Sequence, residues 1–153
     1  VIFFPPAAGG ADDGERRARE LLGATAGPEA LAMYEQLGFL CVEREGYGYL
    51  LYPHRPVVAY DAETGDLLNE YCVLFRETGE RLPDADDVLA KWLALRADER
   101  GLIDTANMDP PGRQLDPAMV RKDLAAVYEY LSAIPHAEPS EECGGPGEAA
   151  TRR

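Results

Sequence analysis

Apolar positions change their period twice along this chain, and the changes divide it into helical, extended and again helical stretches. Asp12-x-x-Glu15 has capping-box spacing, so a first helix is expected from Asp12 or Asp13 through Ala18, Leu21 and Leu22 to Gly23. Gly27-Pro28 opens a second, because proline is tolerated at the first helical position. Leu31, Tyr34 and Leu37 then fall at steps of three before Gly38 stops it. From Phe39 the helical period is lost. Phe39–Val42, Tyr47–Tyr52, Pro56–Tyr60 and Leu67–Phe75 are rich in β-branched and aromatic residues, and the links between them are turn chemistry: Glu45-Gly46, Pro53-His54-Arg55 and Asp61–Asp66. Links this short suit antiparallel neighbours, since a parallel crossover needs about a dozen residues or more. A four-stranded antiparallel meander is expected.

The helical period returns at Pro83-Asp84. Asp84 is suited to the N-cap, Asp86 and Asp87 complement the helix N-terminus, and Gly101 is expected to end the helix after Arg100. Its expected buried stripe is Val88, Leu89, Trp92, Leu93 and Leu95, with Asp87 and Lys91 as an i, i+4 ion pair. A helical turn over Leu102–Ala106 and a loop from Met108 to Leu115 should follow. The final helix opens at Asp116-Pro117 and carries Val120, Leu124, Val127, Leu131 and Ile134, the most regular helical spacing in the chain. The fold class read from these patterns is α+β: an N-terminal helix pair, a four-stranded antiparallel β-meander and two C-terminal helices, with the helices expected to cover one sheet face. Residues 1–10 are read as a flexible lead-in, 11–135 as a single domain and 136–153, with almost no apolar content, as a disordered tail.

Composition narrows the function. Of 153 residues, 46% are hydrophobic, enough for a real core, and 28 acids against 15 lysines and arginines leave a formal net charge of −13. That balance argues against binding a nucleic-acid backbone or an anionic membrane surface, and no apolar run approaches the roughly 20 residues of a bilayer span. A basic protein partner, or self-association, suits it better. Cys41, Cys72 and Cys143 are odd in number and lack metal-ligand spacing, which suits a reducing cytoplasm, and the short apolar start Val1–Phe4 lacks the features of a signal peptide.

Few residues offer chemistry. His54 lies in a tight hairpin between two prolines, where it is a solvated turn residue or a general base in need of a partner. Cys41 and Cys72 fall inside strands, where a thiol is a small core hydrophobe. The acidic runs at Asp61–Asp66 and Asp84–Asp87 read as turn and cap chemistry, no phosphate loop occurs, and neither a metal nor a cofactor is expected. Tyr47 and Tyr49 share one strand face and could form an aromatic recognition surface. Asp86, Asp98 and Glu99 are expected to be exposed along one helix and are the first candidates for contacting a basic partner.

Ala30-Leu31-Ala32-Met33-Tyr34-Glu35-Gln36-Leu37-Gly38-Phe39, with Val42 and Gly46-Tyr47, resembles the late helix-strand segment of GCN5-related N-acetyltransferases. The resemblance implies an acyl-CoA-dependent enzyme in which Tyr34 is the general acid that protonates the departing thiolate of CoA. That family's pyrophosphate loop would precede this segment, and Gly14–Arg19 does not match it. A longer pattern, from Leu21-Leu22 through Gly38-Phe39, Tyr71-Cys72-Val73, Leu82-Pro83-Asp84 and Asp98-Glu99 to Ala106-Asn107, resembles small bacterial proteins with no assigned activity. It implies the architecture alone.

Overall fold

The computed structural model describes residues 8–73 and 81–134, with side chains from residue 12 onward. The expected tail over 136–153 and residues 1–7 of the expected lead-in lie outside the described residues. The element order is α1 (Ala8–Ala26), α2 (Pro28–Leu37), β1 (Leu40–Glu43), β2 (Tyr47–Leu51), β3 (Val57–Asp61), β4 (Leu67–Cys72), α3 (Asp84–Thr105), β5 (Asn107–Asp109) and α4 (Pro117–Ala133). The α+β class and the meander are as expected. The sheet, however, has five antiparallel strands in the order β1-β2-β3-β4-β5, not four.

The fifth strand falls where a loop was expected. Asn107–Asp109 pairs with β4 at Cys72, Tyr71 and Glu70. The buried Glu70 carboxylate holds the chain that follows, accepting hydrogen bonds from the backbone N–H groups of Gly112 (3.2 Å), Gln114 (2.8 Å) and Leu115 (3.1 Å). A buried carboxylate needs such donors, and these are more than 40 residues away in sequence.

Helices cover both faces of the sheet, which corrects the expectation of one. Ala18 and Leu22 of α1, Tyr34 of α2 and Ala85, Val88, Leu89 and Leu95 of α3 pack with Leu40, Tyr49, Leu51, Val57, Ala59 and Tyr71 on one face. On the other, Leu115 and Val120, Leu124 and Val127 of α4 pack with Phe39, Leu50, Tyr52, Val58 and Tyr60. Successive strand residues point to opposite faces, so β2 and β3 are buried on both sides. Gly48 stands opposite the fully buried Tyr60 across these strands, and a Cβ there would collide with the Tyr60 ring, so the pair requires glycine.

Several helix boundaries move for identifiable reasons. Helix α1 begins at Ala8, before Asp12, and runs through Gly23, where a Cβ would press on Leu31 at 2.8 Å; this glycine lets α2 approach closely instead of ending the helix. Gly38 does end α2, in the left-handed conformation (φ 84°), with its N–H on Tyr34 O at 2.7 Å. Helix α3 has Pro83, not Asp84, at its N-cap, and it continues past Gly101 to Thr105. Its break is at Asp98 (φ −159°, ψ 79°), whose carboxylate accepts from Gly101 N at 3.0 Å and so caps the second half. A side chain at Gly101 would strike that carboxylate. The buried stripe of α3 also differs: Leu93 is 44% exposed, and the fully buried long side chain is Lys91. Helix α4 matches its expectation, with Asp116 accepting from Ala118 N at 3.0 Å and Pro117 in the first turn.

Candidate functional site

Two polar clusters surround the N-terminus of α3. The first is an open cleft of about 590 Å³, walled by Gly14, Glu15 and Arg19 of α1, Tyr34, Glu35 and Gly38 at the end of α2, and Arg81–Asp84 leading into α3. Glu15, expected to cap its own helix, instead organises this cleft. Its Oε1 accepts from Ala85 N (2.9 Å), serving the N-terminus of α3, and its Oε2 accepts from Tyr34 Oη (3.0 Å) and Arg19 Nε (2.8 Å). Burial raises the Glu15 carboxyl, but the Ala85 N–H, the Arg19 guanidinium and the Tyr34 hydroxyl together outweigh it and hold the group below its ordinary range. Tyr34 itself is pushed up strongly by burial and by Glu15, so it remains a protonated donor. The Arg19 guanidinium lies 5.6 Å above the Tyr34 ring centroid.

A carboxyl held low in the folded state stabilises the fold above its unfolded value and loses that contribution as pH falls through its lowered one. Glu15→Gln is therefore expected to lower the urea midpoint at about pH 7 and to differ little from the parent at about pH 3. A deficit that persists undiminished in acid would show that Glu15 acts by packing, not by charge.

The second cluster joins the β2–β3 hairpin to α3. Lys91 Nζ donates to Asp87 Oδ2 (2.6 Å) and to the carbonyls of Tyr52 (2.5 Å) and Arg55 (2.9 Å), which occupies all its donors. Asp87 Oδ2 also accepts from His54 N at 2.8 Å. His54 is the single described non-glycine residue in the left-handed region, with φ 59°. Its Nε2 lies 3.0 Å from Asp84 Oδ1 but without hydrogen-bond geometry, and its Nδ1 is 3.9 Å from Asp87 Oδ1. Two carboxylates thus lie near the His54 imidazole, but neither is hydrogen-bonded to the ring; it is the His54 backbone N–H that Asp87 holds. Among the described residues no three His, Cys, Asp or Glu side chains converge as a metal site requires.

The other expected site residues are dispersed. Tyr47 and Tyr49 do share a face, with rings edge to face at 5.7 Å, but Tyr49 is buried and Tyr47 half-buried. Tyr47 Oη donates to Glu99 Oε2 (3.0 Å), and Arg44 Nε pairs with Glu99 Oε1 (3.3 Å). Glu99 therefore ties α3 to the β1–β2 turn instead of standing open. Asp86 is half-buried, not exposed; among the described residues its Oδ1 has no hydrogen-bond partner, and burial with nearby Glu15 pushes its carboxyl up. Of the three acids only Asp98 is exposed, and it caps a helix. The Cys41 thiol lies 3.0 Å from Tyr60 Oη, and burial pushes it up to about 11, so it is protonated at neutral pH. Glu15, Arg19, Arg81, Asp87 and Lys91 are the site residues that sequence reasoning missed. Two signals were present, the i, i+4 spacing of Asp87 and Lys91 and the capping-box spacing of Glu15, and neither pointed to the site.

No described helix is long and apolar enough to cross a membrane. Comparison with protein-family models, with curated proteins and with solved structures gives no match for this chain.

Proposed function

We propose that this chain is a small acidic protein-interaction module, without catalysis of its own, that takes a basic protein partner in the cytoplasm. The observation that carries the reading is a joint between two hairpin turns: Ala62 N donates to Gly46 O at 3.1 Å, bringing Glu43 at the end of β1 and Glu45 of one turn to the same end of the sheet as Asp61 at the end of β3 and Glu63 and Asp66 of the other turn. Arg44, the only basic residue of these turns, is held by Glu99. Tyr128 of α4 is 40% exposed nearby, where Glu43 and Asp61 add to the effect of burial in raising its phenol. An exposed tyrosine beside carboxylates fits a basic surface, for which charge sets encounter rate and an aromatic supplies contact area. This end of the sheet replaces Asp86 and Glu99 as the proposed contact.

The expected result is an association rate that falls steeply with salt beyond about 0.1 M, where the Debye length is about 10 Å, and that falls again in the Glu45→Lys, Glu63→Lys variant with the melting temperature preserved. A captured basic partner that binds parent and variant at equal, salt-independent rates would overturn the reading.

A second reading, acyl-CoA-dependent N-acetyl transfer from Tyr34, is favoured by one observation, that Tyr34 lines a cleft. Against it, the Ala85 amide that could meet a pyrophosphate is taken by Glu15, and Asp84, Asp86 and Asp87 crowd the same helix end. Acetyl-CoA is expected to leave the melting temperature unchanged. A ligand at a hundred times its dissociation constant stabilises by about 2.7 kcal/mol, so a clear rise would favour the enzyme instead.

A further inference from the structure

The Tyr34 cleft holds a guanidinium tethered through one nitrogen, its side chain 47% exposed, with the rest of its bonding capacity open. Arg19 Nε is bound to Glu15 Oε2 and its Cζ lies 5.6 Å from the Tyr34 ring centroid, yet among the described residues neither of its Nη groups has a hydrogen-bond acceptor. Arginine loses little further freedom when such a fork then meets a carboxylate, which accepts two parallel N–H bonds. Arg81 adds a second positive charge to the wall. The same cleft carries Glu35 and Asp84, and Asp84 is 54% exposed at its side chain, so the two signs of charge line one concavity. The remaining wall is apolar: Leu82, Pro83 and the Tyr34 ring, with Gly14 and Gly38 presenting no side chain. The volume, about 590 Å³, is in the ordinary range for a small-molecule site.

From this juxtaposition we infer that the cleft binds a small amino-carboxylate with an apolar side chain, its carboxylate on the open Arg19 fork and its ammonium toward Glu35 and Asp84. Anions alone are disfavoured by those two acids, and cations alone by Arg19 and Arg81. A zwitterion satisfies both, and its apolar side chain covers Leu82 and Pro83. This site is separate from the acidic sheet end and does not depend on a protein partner being found there.

The test is a nitrogen-15 NMR titration of the full chain with L-phenylalanine, with L-phenylalaninamide, which lacks the carboxylate, and with N-acetyl-L-phenylalanine, which lacks the ammonium. Saturable shifts at Arg19, Tyr34, Gly38 and Arg81 are expected with L-phenylalanine, and binding at least about tenfold weaker with either derivative. Arg19→Lys keeps the charge but removes the fork and should weaken binding; Arg81→Gln, outside the Glu15 cluster, should weaken it without moving the melting temperature. Absence of saturable shifts with L-phenylalanine, shifts confined to another surface, or equal affinity for all three compounds would overturn the inference.

Discussion

Asp87→Ala is expected to destabilise the fold by about 3–5 kcal/mol, the cost of leaving a buried charge without its counter-ion. Lys91 is fully buried, and Asp87 is both its sole anionic partner among the described residues and the acceptor for His54 N. The Tyr52 and Arg55 carbonyls would remain as neutral acceptors, which cannot balance an ammonium. Burial already lowers Lys91 below the ordinary lysine range while Asp87 opposes that shift. Removing Asp87 deepens it, so in the variant the unfolded chain binds more protons than the folded one over a wider range of pH. Stability then rises with pH, and the deficit against the parent should narrow toward about pH 10. Chemical denaturation across that range measures it. Asp87→Ala with Lys91→Met should recover part of the loss, because the charge is gone with its partner. A single-variant cost below about 1 kcal/mol would mean that water reaches the ammonium.

Leu50→Ala and Leu51→Ala are each expected to cost about 2–5 kcal/mol and to add when combined. Both residues are completely buried, although neighbours in a strand point to opposite faces. Leu50 packs in the core under α4, Leu51 in the core under α1, α2 and α3. In a sheet covered on one face, one of the two would lie in solvent and its replacement would cost less than about 0.5 kcal/mol. Urea unfolding of the single and double variants separates the arrangements; one cheap variant would refute the three-layer architecture.

The acidic sheet end and the Tyr34 cleft differ in how they are built. Glu45, Glu63 and Asp66 belong to turns recognisable in the sequence and Glu43 ends β1, and the β2–β3 pairing with the Ala62–Gly46 hydrogen bond brings them to one end of the sheet. Glu15, Arg19, Tyr34 and Arg81 come from three separate segments, and the Glu15 carboxylate joins all three by bonding Arg19, Tyr34 and the start of α3.

The elements that short-range chemistry governs were legible in the chain. The Asp116-Pro117 start of α4 and its Val120, Leu124, Val127 stripe follow from capping and a period of 3.6, and β1 to β4 follow from turn residues between β-branched and aromatic runs. Even the second covered face left a trace, since Val57-Val58-Ala59-Tyr60 does not alternate. What remained hidden depends on groups distant in sequence meeting in space. The three residues of β5 carry no periodicity, and they become a strand because β4 offers an edge and Glu70 fastens the following loop. The Asp87–Lys91 spacing was plain, but an i, i+4 pair reads the same on a solvated face as in a core; it is the packing of the Tyr52–Arg55 hairpin over α3 that removes water from it. For the same reason Glu15 could be seen as a helix cap while the helix it caps could not. Local spacing specifies which backbone groups lack partners, and only the folded chain brings a distant carboxylate to supply one.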